Sequence, residues 1–419
     1  METTSHLPQS PEAAPERLGP RPYMQHLATA TGAWTSSLVA LPLLKNGSLP
    51  WSPQLQRDRA ALLANLGSVE PQEFATAVVG EITARRARFE SGVAAYRTHR
   101  YRRDMAAVPL LWQAGTTRLL DYRNDATDKT LPPVLVVPSL INRYYVLDLM
   151  PETSFLRWLA NQGFPLFAID WDAPGADERG FDLTAYTTER LEPALDAVRA
   201  ATNNIKPIVL GYCMGGNLAL ALAHRHARDL AGLALLATPW DFHAERPEQA
   251  RGLGAMAAWL MPTMAAAGAL PVDAIQSLFA ALDPMQVIRK FLAFAELDPD
   301  SDRARRFVAL EDWLNDGIPL ATPVAIETLA GWYGANSPAT GQWRIGGTVV
   351  SPASCDLPAL VVIPDTDRIV PPGSARALAA ALPNAQAMTP AAGHIGMMVG
   401  GRAERGVWQP IAAWLRTVP

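Results

Sequence analysis

The 419-residue chain is long enough to bury a large core and to form one elaborated domain or two. With 49% apolar and 18% charged residues and a formal net charge of −4, it has the composition of a soluble globular enzyme and gives no whole-chain electrostatic case for nucleic acid. Two cysteines, Cys213 and Cys355, signal no disulfide framework, so a reducing, cytoplasmic setting is expected.

Residues 1–22 are Pro-rich and mixed in charge, which predicts disorder. Ala28–Leu44 is apolar but interrupted by Thr29, Thr31, Thr35, Ser36, Ser37 and Pro42. It falls short of the roughly 18–20 uninterrupted apolar residues of a membrane span and lacks the flanks of a signal peptide. Two readings stand: an amphipathic helix docked on the main domain, or a surface that meets a hydrophobic granule. Over Pro71–Arg100, Phe74, Val78, Val79, Ile82 and Phe89 recur at helical spacing, so residues 23–111 read as a helical accessory region.

From about Trp112 the period changes. Thr117–Tyr122 reads as an early strand, and Val134–Val137, bounded by prolines, as a buried one. Leu166–Ile169 repeats that type after the helical Ser154–Gln162. Leu183–Ala201 reads as a helix, Pro207–Leu210 as a strand, Asn217–Arg228 as a helix and Gly232–Ala237 as a strand. Nearly continuous apolar strands alternating with helices predict a mostly parallel sheet covered on both faces, over residues 112–241 and 350–419. Residues 242–349 break the alternation with helical runs at Gly252–Met264, Pro271–Ala281 and Met285–Phe294. They read either as a cap over the site or as an outer helical layer without a gating role. The sheet signal returns with Ala359–Ile363 and Ala385–Met388, each followed by a loop, and Val407–Arg416 closes the chain as a helix.

Between the Pro207–Leu210 strand and the next helix lies Gly211-Tyr212-Cys213-Met214-Gly215-Gly216. This is a nucleophile elbow with cysteine in the serine position: the side chain projects above the sheet, and the next N–H points the same way. Cys213, Asp367 and His394 each follow a predicted strand, and nucleophile, acid, histidine is the chain order of the α/β-hydrolase fold. A free thiol is only a few per cent thiolate at neutral pH. His394 can take its proton, and an aspartate can orient the imidazole. Asp365 competes with Asp367 for that part. Cys355 has no comparable setting and reads as inert.

The expected oxyanion donors are the backbone N–H of Met214 and one from the loop after Val134–Val137, near Leu140–Ile141 and assigned to Ile141. Leu140, Asn142, Tyr144 and Tyr145 are candidate pocket residues, although aromatics in such a loop are as often structural packing. His224 and His226 read as surface or packing residues. No metal-ligand spacing and no dinucleotide fingerprint occurs, so no metal or cofactor is expected.

At these residues the sequence resembles the polyhydroxyalkanoate synthases. Their Gly-x-Cys-x-Gly-Gly box is Gly211–Gly216, and Pro138–Leu149 is similar to their oxyanion-loop segment. Asp170-Trp171 with Ala173-Pro174, Leu236–Phe242, Asp367-Arg368-Ile369-Val370-Pro371 and Gly393-His394-Ile395 also look like family signatures, and the acid segment favours Asp367 over Asp365. The resemblance covers roughly 131–241 and 357–400 and is weak in the N-terminal third and the cap. It implies that Cys213 carries a growing polyester as a thioester and takes (R)-3-hydroxyacyl groups from coenzyme A, which is a substrate part and not a bound cofactor. It also implies a polymer granule surface and a homodimer or second synthase subunit as partners. The same scaffold with cysteine serves intracellular depolymerases and could serve a thioesterase. A non-catalytic granule-associated protein is the reading from another class.

Overall fold

The computed structural model describes residues 17–49, 51–53 and 56–419. The chain divides into two compact units, Met1–Tyr101 with Pro284–Asn315, and Arg102–Asp283 with Asp316–Pro419. This revises the expected boundaries, because residues 284–315 do not group with the rest of the 242–349 segment.

The first unit is helical, with its core where Phe89, Tyr96, Phe291 and Phe294 are buried together. Gly92 makes the closest crossing: a Cβ there would sit 2.3 Å from the Phe291 carbonyl oxygen, so helices Pro71–Thr98 and Gln286–Phe294 meet backbone to backbone. Helix Asp302–Asn315 was absent from the expectation. Its Asp312 accepts from the buried Arg17, Nε to Oδ1 at 2.6 Å and Nη2 to Oδ2 at 3.0 Å. The expected disorder of 1–22 therefore does not extend to Arg17, which this ion pair holds; residues 1–16 lie outside the described residues. Tyr23–Lys45 is long and apolar enough to cross a membrane by length and composition, contrary to the shortfall expected. Two of the threonines counted against it are satisfied within the helix: Thr31 Oγ1 donates to Leu27 O and Thr35 Oγ1 to Thr31 O, both at 2.8 Å.

The second unit is built on an eight-stranded sheet. Its strands are β1 (Leu110–Ala114), β2 (Thr117–Asp121), β3 (Val134–Val137), β4 (Leu166–Asp170), β5 (Ile208–Tyr212), β6 (Gly232–Leu236), β7 (Ala359–Val362) and β8 (Ala385–Met388). Their spatial order is β1-β2-β4-β3-β5-β6-β7-β8. β2 is antiparallel to both its neighbours, and β3 to β8 run parallel. β3 and β5 to β7 are buried along their whole length, as their unbroken apolar runs require. β1 was not anticipated. It is a half-exposed edge strand, with Leu110 52% accessible, and its pattern carries little burial signal.

The helix after β5 spans Met214–His226 and so starts three residues before the expected Asn217. Gly215 and Gly216 are its first turn, not a loop. They are needed for contact: a Cβ on Gly215 would lie 2.1 Å from Val137 O, and one on Gly216 would lie 1.8 Å from Thr238 Oγ1. The helix N-terminus is thereby pressed against the ends of both β3 and β6.

Candidate active site

Cys213 sits at the apex between β5 and its helix with φ 55° and ψ −129°. A non-glycine residue in such a conformation costs on the order of 1–3 kcal/mol and persists only where the surroundings fix it. Here they do: Cys213 N–H donates to Leu236 O at 2.8 Å, Gly216 N–H donates to Cys213 O at 2.9 Å, and the glycines let the helix close in. The sulfur is half-buried at the C-terminal edge of the sheet, where strand ends leave room for a substrate.

His394, from the loop after β8, hydrogen-bonds Cys213 through its side chain. Its Nδ1 lies 2.7 Å from Asp367 Oδ2, and both side chains are out of solvent. Asp367 Oδ1 accepts the backbone N–H groups of Ile369 at 2.8 Å and Val370 at 2.9 Å, which fixes the carboxylate in the loop after β7. The Tyr212 hydroxyl donates to the His394 carbonyl at 3.1 Å, and its ring packs 5.2 Å from the imidazole. Burial alone would lower the His394 pKa. The charge of the Cys213 sulfur and the hydrogen bonds to Asp367 and Cys213 outweigh it and push the value up to about 10.

The three residues from separate strand ends are brought together. Asp365 is not among them: its Oδ1 accepts the Ala392 N–H at 3.1 Å and braces the loop that carries His394. Cys355 is buried 1% exposed elsewhere, and burial pushes its thiol up. His224 pairs with Ser354, and His226 lies near Glu192 and Asp229.

The Met214 N–H opens its helix and has no acceptor among the described residues. The expected second donor needs correction. Ile141 N–H donates to Ser139 Oγ at 3.0 Å, a local turn that removes it from service. The neighbouring Leu140 N–H has no acceptor among the described residues. The Trp171 indole holds this loop by donating to Pro138 O at 3.0 Å. Of the other pocket candidates, the Leu140 side chain is buried in the core. Asn142 takes a left-handed turn at φ 64°. Tyr144 hydrogen-bonds Tyr122, and the Tyr145 hydroxyl donates to Asp316 Oδ2 at 3.0 Å beneath the Arg103 guanidinium. Both tyrosines brace the loop.

Tyr333 was missed by the sequence reading. It lies in a π-helical segment, Glu327–Gly334, and burial, with the charge of Cys213 added, pushes its phenol up to about 12. Its ring meets Phe242 edge-on at 4.8 Å. No periodic signal marks this segment; the Asn336-Ser337-Pro338 turn that ends it was the only local cue.

A parallel-sheet fold with an elbow cysteine, a histidine and an aspartate at its strand ends defines an α/β-hydrolase-fold protein. Residues 132–401 match the alpha/beta hydrolase fold family, and residues 87–159 match the N-terminus of poly-beta-hydroxybutyrate polymerase, PhaC. Among curated relatives, the poly(3-hydroxyalkanoate) polymerase subunit PhaC of Synechocystis sp. is 30% identical over 310 residues, covering 71% of this chain and 82% of that one. The subunit PhaC of Haloferax mediterranei is 27% identical over 308 residues, covering 73% of this chain and 63% of that one. The chain thus spans less than two thirds of the length of the Haloferax relative. Among solved structures, an alpha/beta hydrolase fold protein from Nakamurella multipartita is 20% identical with a TM-score of 0.44, covering 74% of this chain and 99% of that one. The chain belongs to the poly(3-hydroxyalkanoate) polymerase PhaC family within the α/β hydrolases.

Proposed function

We propose that the protein is an acyltransferase that polymerises (R)-3-hydroxyacyl groups from coenzyme A through a Cys213 thioester. The observation that carries this reading is Cys213 at φ 55° hydrogen-bonded to a His394 that is itself held by Asp367 at 2.7 Å. The Cys213 thiolate attacks the thioester carbonyl. The oxyanion is received by the N–H of Met214 and, in place of Ile141, that of Leu140. Collapse breaks the bond to the coenzyme A sulfur, which departs with the proton held by His394. The acceptor hydroxyl of another hydroxyacyl unit then attacks the acyl carbon, its proton passes to His394, and Cys213 leaves as thiolate. Asp367 keeps the proton on Nδ1, leaving the other ring nitrogen for the sulfur and the hydroxyl.

A thiolate suits this sequence of steps. Exchange between two thioesters is nearly isoenergetic, so loading costs little and passage to an alcohol follows downhill. Water attacking the same acyl-enzyme would instead make a depolymerase or thioesterase. Incubating the purified chain with (R)-3-hydroxybutyryl-coenzyme A separates the outcomes. Free coenzyme A with insoluble polymer supports the proposal, and free coenzyme A with only the free hydroxy acid overturns it in favour of hydrolysis.

A further inference from the structure

The aromatic wall beside the Cys213 elbow, which the helix after β5 reaches through Asn217 Nδ2 donating to Pro239 O at 2.8 Å, comes from two chain segments far apart in sequence. One is the loop after β6, Trp240 to His243; the other is the π-helical segment with Trp332 and Tyr333. Their rings interlock: Phe242 lies 4.8 Å from Tyr333 and 5.6 Å from Trp332, and Trp343 lies 5.3 Å from Trp332 and 6.2 Å from Trp240. Ring contacts alone tolerate sliding, because offset and edge-on arrangements differ little in energy.

One buried side chain removes that freedom. Asn336, 7% exposed, donates from Nδ2 to Asp241 Oδ1 at 2.8 Å and accepts at Oδ1 from the Phe242 N–H at 2.9 Å. The amide orientation is fixed by chemistry, since a carboxylate only accepts and a backbone N–H only donates. Asp241 Oδ1 also accepts the His243 N–H at 2.9 Å, and the His243 ring donates from Nε2 to Tyr333 O at 2.8 Å. Asn336 holds φ 54°, a left-handed conformation that asparagine and glycine adopt at least cost. An asparagine is therefore the residue that satisfies both the backbone and the two partners.

We infer that the Asn336–Asp241 clamp determines the acceptor of the acyl group, holding the aromatic wall closed over acyl-Cys213 so that a hydroxyacyl chain enters and water does not. Asn336 is a positioning residue in this account, since it acts through Phe242 and Tyr333. The inference rests on the acyl-transfer reading above. Opening the wall would admit water to the same carbonyl: its oxygen bonds to the acyl carbon, one proton passes to His394, and the Cys213 sulfur departs, releasing the free hydroxy acid in place of an ester.

The test measures free hydroxy acid per coenzyme A released, alongside polymer. Asn336→Asp sets a carboxylate against Asp241, and Asn336→Gly keeps the backbone conformation without the amide. Both are expected to raise the hydrolysed fraction about tenfold, as expected when water gains access to a reactive intermediate. The reciprocal pair Asn336→Asp with Asp241→Asn restores one donor against one acceptor and is expected to return the fraction to within about twofold of wild type, the coupling expected of directly bonded partners. A purely structural defect would lower polymer and acid together and would not be rescued by the swap. An unchanged fraction in both single variants, or a swap no better than Asn336→Asp alone, would overturn the inference. Wild-type protein that releases only free acid would instead overturn the acyl-transfer reading on which it rests.

Discussion

His394 Nδ1 and Asp367 Oδ2 lie 2.7 Å apart, with Asp367 held in turn by the N–H groups of Ile369 and Val370. The carboxylate therefore has one orientation to offer and the imidazole one tautomer to take. Asp367→Asn keeps the shape but offers an amide where the ring nitrogen needs an acceptor. The expected result is a loss of about 10³–10⁴-fold in the rate of coenzyme A release, the scale of removing such a partner from a comparable triad. Asp365→Asn, which leaves His394 oriented, is expected to keep most of the rate under the same assay.

The raised pKa of His394 also links the site to stability. Its value in the folded chain is about 10 against 6.5 for the free side chain. The folded state thus holds this proton more tightly. The resulting stabilisation is complete below about pH 6.5 and fades as the pH rises through about 10. Denaturant unfolding of wild type and His394→Gln, compared between pH 6 and 10, is expected to show their difference shrinking as the pH rises. Removing the sulfur in Cys213→Ala takes away its charge, and the imidazole is expected by NMR to titrate at lower pH than in wild type.

Gly215 is where the helix after β5 touches the end of β3. A methyl group there would meet Val137 O at 2.1 Å and Pro138 O at 2.4 Å. These are backbone atoms, so no side chain can swing away. Gly215→Ala is expected to cost about 1–3 kcal/mol in denaturant unfolding, the usual penalty of overpacking. Because the same contact sets the oxyanion loop, acylation should fall in protein that remains folded.

Much of the sheet is legible because a strand covered on both faces must be apolar without interruption, and β3, β5, β6 and β7 are such runs. β1 escapes the same logic, since an edge strand with Leu110 in solvent has no burial pattern to read. The glycines after Cys213 looked like loop residues because their role, contact with β3 and Thr238, lies in segments distant in sequence. Asp312 and Arg17 are 295 positions apart, so no local pattern could assign 302–315 to the N-terminal unit. Cys213, Asp367 and His394 were legible because each follows a strand in a fixed order. The capture of the Ile141 N–H by Ser139 was open to reading as a serine turn, and the wall from Tyr333 and Asn336 was not.

Cys355, buried with its thiol pushed up, is expected to be dispensable. Cys355→Ala should release coenzyme A at a rate within about twofold of wild type, as for a substitution that touches no reacting atom.

The central claim is that acyl groups pass through the Cys213 sulfur. Intact-protein mass spectrometry after brief mixing with (R)-3-hydroxybutyryl-coenzyme A tests it most directly. The expected result is one or more hydroxyacyl masses on wild type, mapped to the peptide containing Cys213, and neither adduct nor coenzyme A release in Cys213→Ala. Coenzyme A release by Cys213→Ala at the wild-type rate would contradict the account.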